Sequence, residues 1–184
     1  TFKAFRVLFF FLQLTYVFSS TIQTNVKCIH SLVLDLCEPC LTHISGQWRD
    51  LQPPQPTVRP LMTEVCTFTK SGGKATGAVG VLTYDLFERT KSDYIESVAI
   101  MFSVPWDYNF YKNWFAVGLY PKGHNCDENL FKEMYNDKTQ QNFKREEANG
   151  SGINHAGNYL DVRATMCPMA KAIMNVEVWD KLLV

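Results

Sequence analysis

Between residues 63 and 180 the chain is a succession of short strand-like segments punctuated by Gly, Pro, Asn and Asp, with a single stretch of helical period among them. Residues 64–70 alternate around Val65, Thr67 and Thr69, and Ser71-Gly-Gly-Lys74 turns them. Residues 77–88 form a long strand with Val79, Val81, Thr83 and Asp85 on one face. A polar turn at 89–93 leads into a return strand, 94–102, through Ile95, Val98, Ile100 and Phe102. Paired lengths around a short polar turn predict an antiparallel hairpin. Residues 115–120 are another strand, ended by Pro121-Lys-Gly123. Residues 159–166 and 170–179 are a closing pair around Cys167-Pro168-Met169, and the Gly- and Asn-rich stretch 150–157 reads as a loop. The one clear helix starts at Asp127, a good N-cap, and sets Leu130, Phe131, Met134 and Tyr135 on one side. Many strands with one inserted helix predict a mainly β fold, a β-sandwich with helix decoration.

The segment Phe102-Ser-Val-Pro-Trp-Asp-Tyr-Asn-Phe-Tyr-Lys-Asn-Trp-Phe115 breaks that pattern. Half of its fourteen residues are aromatic, yet Pro105, Asp107, Asn109, Lys112 and Asn113 interrupt any strand or helix period. Rings gathered on a loop held open by Pro, Asp and Asn predict a binding surface. Asp107 and Asn109 are expected to cap this loop.

Charge limits the partner. Residues 1–60 carry five basic and three acidic side chains, residues 61–184 thirteen and fifteen. A neutral to slightly acidic domain lacks the clustered Lys and Arg that nucleic acid or an anionic lipid surface requires, which leaves a neutral or zwitterionic ligand. Cys28, Cys37, Cys40, Cys66, Cys126 and Cys167 match no compact disulfide framework. Cys37-Glu-Pro-Cys40 has CxxC spacing, but only His30 and His43 lie near enough to complete a metal site, so no metal or cofactor is expected. The four histidines, His30, His43, His124 and His155, sit in unrelated contexts without a nucleophile elbow, and the chain does not read as an enzyme. Asn149-Gly-Ser151 is a glycosylation sequon, meaningful if the chain is secreted.

The N-terminal part reads differently. Lys3 and Arg6 precede an apolar run, 7–18, and then Ser19-Ser20-Thr21. This is the pattern of a signal peptide or anchor, although twelve residues are short for a membrane span. Residues 1–40 show no clear period, which equally fits a segment foreign to the domain. The domain boundary is therefore expected at 44/45. Four prolines in residues 52–60 predict an extended, polyproline-like connector into the first good strand.

Several of these segments carry a family resemblance. Thr76-Gly-Ala-Val-Gly-Val81, the aromatic run from Phe102 to Trp114, and the helix with Phe131 and Tyr135 resemble the actinoporins, the sphingomyelin-binding, pore-forming toxins of sea anemones. Pro53-Pro-Gln-Pro-Thr-Val-Arg-Pro60, Thr63-Glu-Val-Cys-Thr-Phe68 and Ile173-Met-Asn-Val-Glu-Val-Trp-Asp180 are closer still to the actinoporin-like proteins of fishes. The likeness runs from about Ser45 to the C-terminus. It implies a β-sandwich flanked by one or two helices. It also implies a protein that docks on a target membrane, oligomerises there and forms a pore, secreted if the N-terminal segment is a signal and cytoplasmic if it is not.

The resemblance implies a phosphocholine pocket made of Val79, Ser103, Pro105, Tyr111, Phe131 and Tyr135, with Ser45 a weaker candidate. Trp106, Tyr108, Phe110, Trp114 and Phe115 are the interface aromatics: they would surround it, and some would enter the bilayer interface, the layer that amphipathic rings prefer, with Trp114 and Phe115 entering a strand as rim and core. The chemistry is consistent with that assignment. A trimethylammonium group donates no ordinary hydrogen bond and is held best by ring faces, while its phosphate needs hydroxyl, amide or cationic donors. Two departures blunt the far side: Phe131 and Asn136 stand where the anemone toxins carry tyrosines. Each hydrogen bond lost to a charged group costs about 1.5–3 kcal/mol, so head-group preference is expected to shift. Residues 1–40 carry no apolar stripe opposite a charged face to match the inserting helix of the toxins, and the Arg-Gly-Asp triplet of some anemone members is absent. Lys144-Arg145-Glu146-Glu147 lies in that region as a solvated edge. The alternative function is a non-lytic module recognising a choline lipid or a carbohydrate, since sugars also stack on rings.

Overall fold

A computed structural model describes residues 20–29, 33–36, 48–70, 77–88 and 92–181. Twelve strands and one helix are described: β1 (Thr21–Ile29), β2 (Val33–Leu36), β3 (Trp48–Gln52), β4 (Thr57–Val58), β5 (Thr63–Lys70), β6 (Ala78–Glu88), β7 (Asp93–Val104), β8 (Trp114–Pro121), α1 (Glu128–Asn136), β9 (Phe143–Glu147), β10 (Gly152–Ala156), β11 (Leu160–Met166) and β12 (Lys171–Asp180). They form two six-stranded sheets, ordered β10-β11-β12-β1-β5-β3 and β4-β2-β6-β7-β8-β9. Among these strands only β1 and β12 run parallel to each other.

The two sheets face each other over a core set by side-chain parity. Leu82, Tyr84 and Leu86 of β6, Val98, Ile100 and Phe102 of β7, and Phe115, Val117 and Leu119 of β8 all point inward. They meet Ile22 and Val26, Phe68, Val162 and Ala164, and Met174, Val176 and Val178 from the other sheet. Phe68 and Phe102 stack across the gap, ring centroids 5.3 Å apart. The β6–β7 hairpin pairs from Ala78 opposite Val104 to Glu88 opposite Asp93, with a register shift between Leu86 and Phe87 that leaves Ile95 unpaired. The face of β6 that bears Val79, Val81, Thr83 and Asp85 is the outer one. It is largely buried as well, because α1 lies over it.

Two expectations are corrected. The sandwich does not begin at residue 45: β1 lies between β12 and β5, pairing with both, and β2 joins the other sheet beside β6. Ile22, Thr24 and Val26 point into the core while Gln23, Asn25 and Lys27 alternate outward. Residues 152–156 are a strand, not a loop. Backbone pairing with β11 does not need β-favouring side chains at a short edge, and Ile153 supplies the one buried anchor. The run Lys144-Arg145-Glu146-Glu147 is solvated as expected, but it forms the edge strand β9, anchored by the buried Phe143. The signal-like run 7–18, Cys37, Cys40, His30, His43, Ser45 and the turns at 71–74 and 89–91 lie outside the described residues.

Candidate functional site

Parity also builds the site. Val79 of β6 is in register with Ser103 of β7, and Ser103 with Trp114 of β8. The three side chains make a row across the outer face of the second sheet, at the end where β7 leaves for the loop 105–113. Gly77 precedes β6 at that same end. A Cβ there would stand 2.1 Å from the Val104 carbonyl oxygen and 2.9 Å from the Pro105 Cα, so only glycine lets β6 start this close to the loop.

The helix closes one side. Phe131 and Met134 are buried against Val81, Ala99, Met101 and Ala116, and Val79 and Tyr135 pack at the margin of this cluster. Phe131 and Tyr135, four residues apart on one helix face, lie nearly parallel, centroids 5.5 Å apart and planes 12° apart. Asp127 fixes where the helix starts: its carboxylate accepts from the Leu130 and Asn129 amides at 3.0 and 2.8 Å, and these donors hold it below the usual carboxylate range. Asp127→Ala is therefore expected to lower unfolding free energy by about 0.5–2 kcal/mol, measured by urea titration, and to loosen the Phe131–Tyr135 pair with it.

The loop is held by backbone and buried amide. Asp107 caps it, its carboxylate accepting from the Asn109 amide at 2.9 Å and its carbonyl from the Tyr111 amide at 3.1 Å. Asn113, 1% exposed, ties the loop down. It accepts from the Tyr108 hydroxyl at 2.7 Å and donates to the carbonyls of Cys167 and Met169, both at 3.0 Å. Burial pushes the Tyr108 phenol up. The amide orientation follows from its partners, since two carbonyls can only accept.

Val79, Ser103, Phe131 and Tyr135 thus share one face. Pro105 is buried, its carbonyl accepting from the Ser20 hydroxyl at 2.8 Å, so it forms a wall rather than an open surface. Tyr111 stands on the loop, 58% exposed. Of the surrounding rings, Phe110 is 80% exposed and Trp106 exposed. Tyr108 is half-buried and serves the loop. Trp114 is half-buried, with the Arg145 guanidinium 5.7 Å from its ring centre. Phe115 cannot be an interface aromatic: it has the opposite parity to Trp114, pairs with Phe102 and is 0% exposed in the core between the sheets. Two residues went unassigned in the sequence. Asn113 is the tether, and Arg145 donates to the Met134 carbonyl at 3.0 Å, linking β9 to the helix. Alternation along β9, with Phe143 buried and Arg145 half-buried on the same side, is the signal that places Arg145 on this face.

A two-sheet sandwich with one helix on its outer face and a ring-rich loop beside it is the actinoporin-like β-sandwich. The solved structure of the lipid-binding protein Nakanori shares the fold, with a TM-score of 0.63 at 11% identity, covering 94% of this chain and 77% of its own. In sequence, the family model described as sea anemone cytotoxic protein matches residues 59–180. The chain is 34% identical over 107 residues to DELTA-actitoxin-Aeq1a of Actinia equina, 58% of this chain and 45% of that protein. It is 44% identical over 71 residues to DELTA-alicitoxin-Pse1b of Phyllodiscus semoni (38% and 29%) and 42% over 65 residues to cytolysin tenebrosin-B of Actinia tenebrosa (35% and 27%). The chain belongs to the sea anemone cytotoxic protein family, the actinoporins. The aligned segments span less than half the length of these three relatives.

Proposed function

We propose that this domain docks on membranes by taking the phosphocholine head group of sphingomyelin, or of another choline lipid, beside its aromatic loop. It then oligomerises on the bilayer as the recognition unit of a secreted, pore-forming cytolysin. Support comes from the row Val79–Ser103–Trp114, flanked by the stacked Phe131 and Tyr135 and followed by a loop that exposes Tyr111 and Phe110. In this reading the faces of Tyr111 and Tyr135 hold the trimethylammonium group, Val79, Pro105 and Phe131 form the apolar floor, and the Ser103 hydroxyl donates to phosphate. Trp106 and Phe110 enter the interfacial layer.

The test uses dye-loaded phosphatidylcholine vesicles with and without sphingomyelin, with binding read by sedimentation and release by fluorescence. Binding that strengthens with sphingomyelin, accompanied by release, is the expected result. Binding without release leaves this chain the recognition step alone. Absence of binding to either vesicle, with retention on a glycan surface, overturns the lipid reading.

A further inference from the structure

The sandwich has two ends, and each exposes apolar side chains: Leu61, Met62 and Tyr94 at one, Trp106, Phe110, Tyr111 and Met169 at the other. The aromatic loop leaves β7 at the end where β1 and β12 begin. Thr21 pairs with Lys171, the Thr21 amide donates to the Ala170 carbonyl at 3.0 Å, and Ser20 reaches Pro105. The turn between β11 and β12, residues 167–170, therefore sits beside the aromatic loop. Asn113 binds the two together, donating to the carbonyls on either side of Pro168. At the tip of that turn Met169 is 62% exposed. An unbranched apolar side chain held out on a short turn gains nothing from the fold, and a single exposed Met is unremarkable by itself. Here the turn is tied through Asn113 to the loop that exposes Phe110, Tyr111 and Trp106, and the exposed Lys112 and Lys171 stand next to Tyr111 and two residues from Met169 in the chain. Apolar tips with lysines beside them in the chain suit the boundary between acyl chains and phosphates.

We propose that the 167–170 turn is a second membrane-contacting element, with Met169 entering the interface of a choline-lipid bilayer alongside Phe110 and Trp106. This rests on the docking reading given above. Asn113 makes the two elements one rigid surface, so contact at the turn fixes the tilt of the domain over the head group. Two attachment points, one on each element, resist rocking that a single loop would permit.

The opposite end supplies the control. Thr63 pairs with Lys27 at the far end of the first sheet, and Leu61, two residues before it, is 70% exposed. Met169→Glu and Leu61→Glu would be compared with the unaltered chain on sphingomyelin–phosphatidylcholine vesicles by sedimentation, and with free phosphocholine by calorimetry. Loss of an interfacial Met and gain of a charge there are expected to weaken vesicle binding by about tenfold or more for Met169→Glu. Phosphocholine affinity should stay unchanged, and Leu61→Glu should leave both untouched. If the unaltered chain binds vesicles and Met169→Glu binds equally well, or if both variants weaken alike, the turn is not a contact. If the unaltered chain does not bind vesicles at all, the docking reading fails first and this assignment with it. Both side chains are exposed, and thermal melts confirm that the variants remain folded.

Discussion

Replacing Tyr111 and Tyr135 together by alanine is expected to lower affinity for sphingomyelin-containing vesicles by about fivefold to several hundredfold. A cation over a ring contributes about 0.5–2 kcal/mol depending on how dry the site is, and two rings acting on one trimethylammonium set the range. The two positions differ in what else they do. Tyr111 is mostly exposed, so its loss should leave the melting temperature nearly unchanged. Tyr135 stacks on Phe131 at the edge of the cluster under the helix, and its removal also forfeits an aromatic pair of about 0.5–1.5 kcal/mol. Tyr135→Phe keeps both ring contributions and removes only the hydroxyl. Vesicle sedimentation should rank the unaltered chain first, then Tyr135→Phe, then the single alanines, then the double variant. A double variant that binds as well as the unaltered chain would show that the rings hold no head group.

Much of this arrangement was readable in the sequence, and what was not has a physical reason in each case. The β6–β7 hairpin and β8 were visible because apolar residues recur with strand periods between turn-forming residues. The helix was visible because Asp127 caps it and its apolar positions recur at three and four. β10 was hidden because Gly152, Asn154 and their neighbours advertise a turn, and its pairing is a backbone property. β1 carried its own signal, Ile22, Thr24 and Val26 alternating with polar residues, but the apolar run just before it obscures where the alternation starts. Phe115 illustrates the limit of reading an aromatic cluster as a unit. Trp114 and Phe115 are adjacent in sequence, yet strand parity sends one to the outer face and the other into the core. Composition says how many rings are present, and only register says which ones a ligand can reach. The deepest omission is Asn113. Two of its three partners lie 54 and 56 residues further along the chain, and no local pattern encodes a contact of that span.

Asn113→Ala is for that reason expected to have the largest effect on stability among substitutions in the loop, a loss of about 2–4 kcal/mol in urea unfolding. The side chain makes three hydrogen bonds in a buried position, and a buried polar group stripped of its partner costs about 1–3 kcal/mol. The carbonyls of Cys167 and Met169 and the Tyr108 hydroxyl each lose a partner, and water entering the gap recovers part of the cost. The Asn113 carbonyl, which accepts from the Ala148 amide at 2.9 Å, is unaffected because it belongs to the backbone. Asn113→Asp should be worse than alanine despite its matched size. It would keep an acceptor for Tyr108 but aim a carboxylate oxygen at two carbonyls, and either the charge or its protonation would have to be accommodated without exposure to water. Vesicle binding separates this tether from the head-group site. If Asn113 acts by holding the aromatic loop against the 167–170 turn, Asn113→Ala should weaken vesicle binding at temperatures where the domain is still folded, with less effect on free phosphocholine. A variant that is destabilised yet binds vesicles normally would confine Asn113 to folding. The amide would then be a structural clamp with no part in presenting the membrane-facing surface.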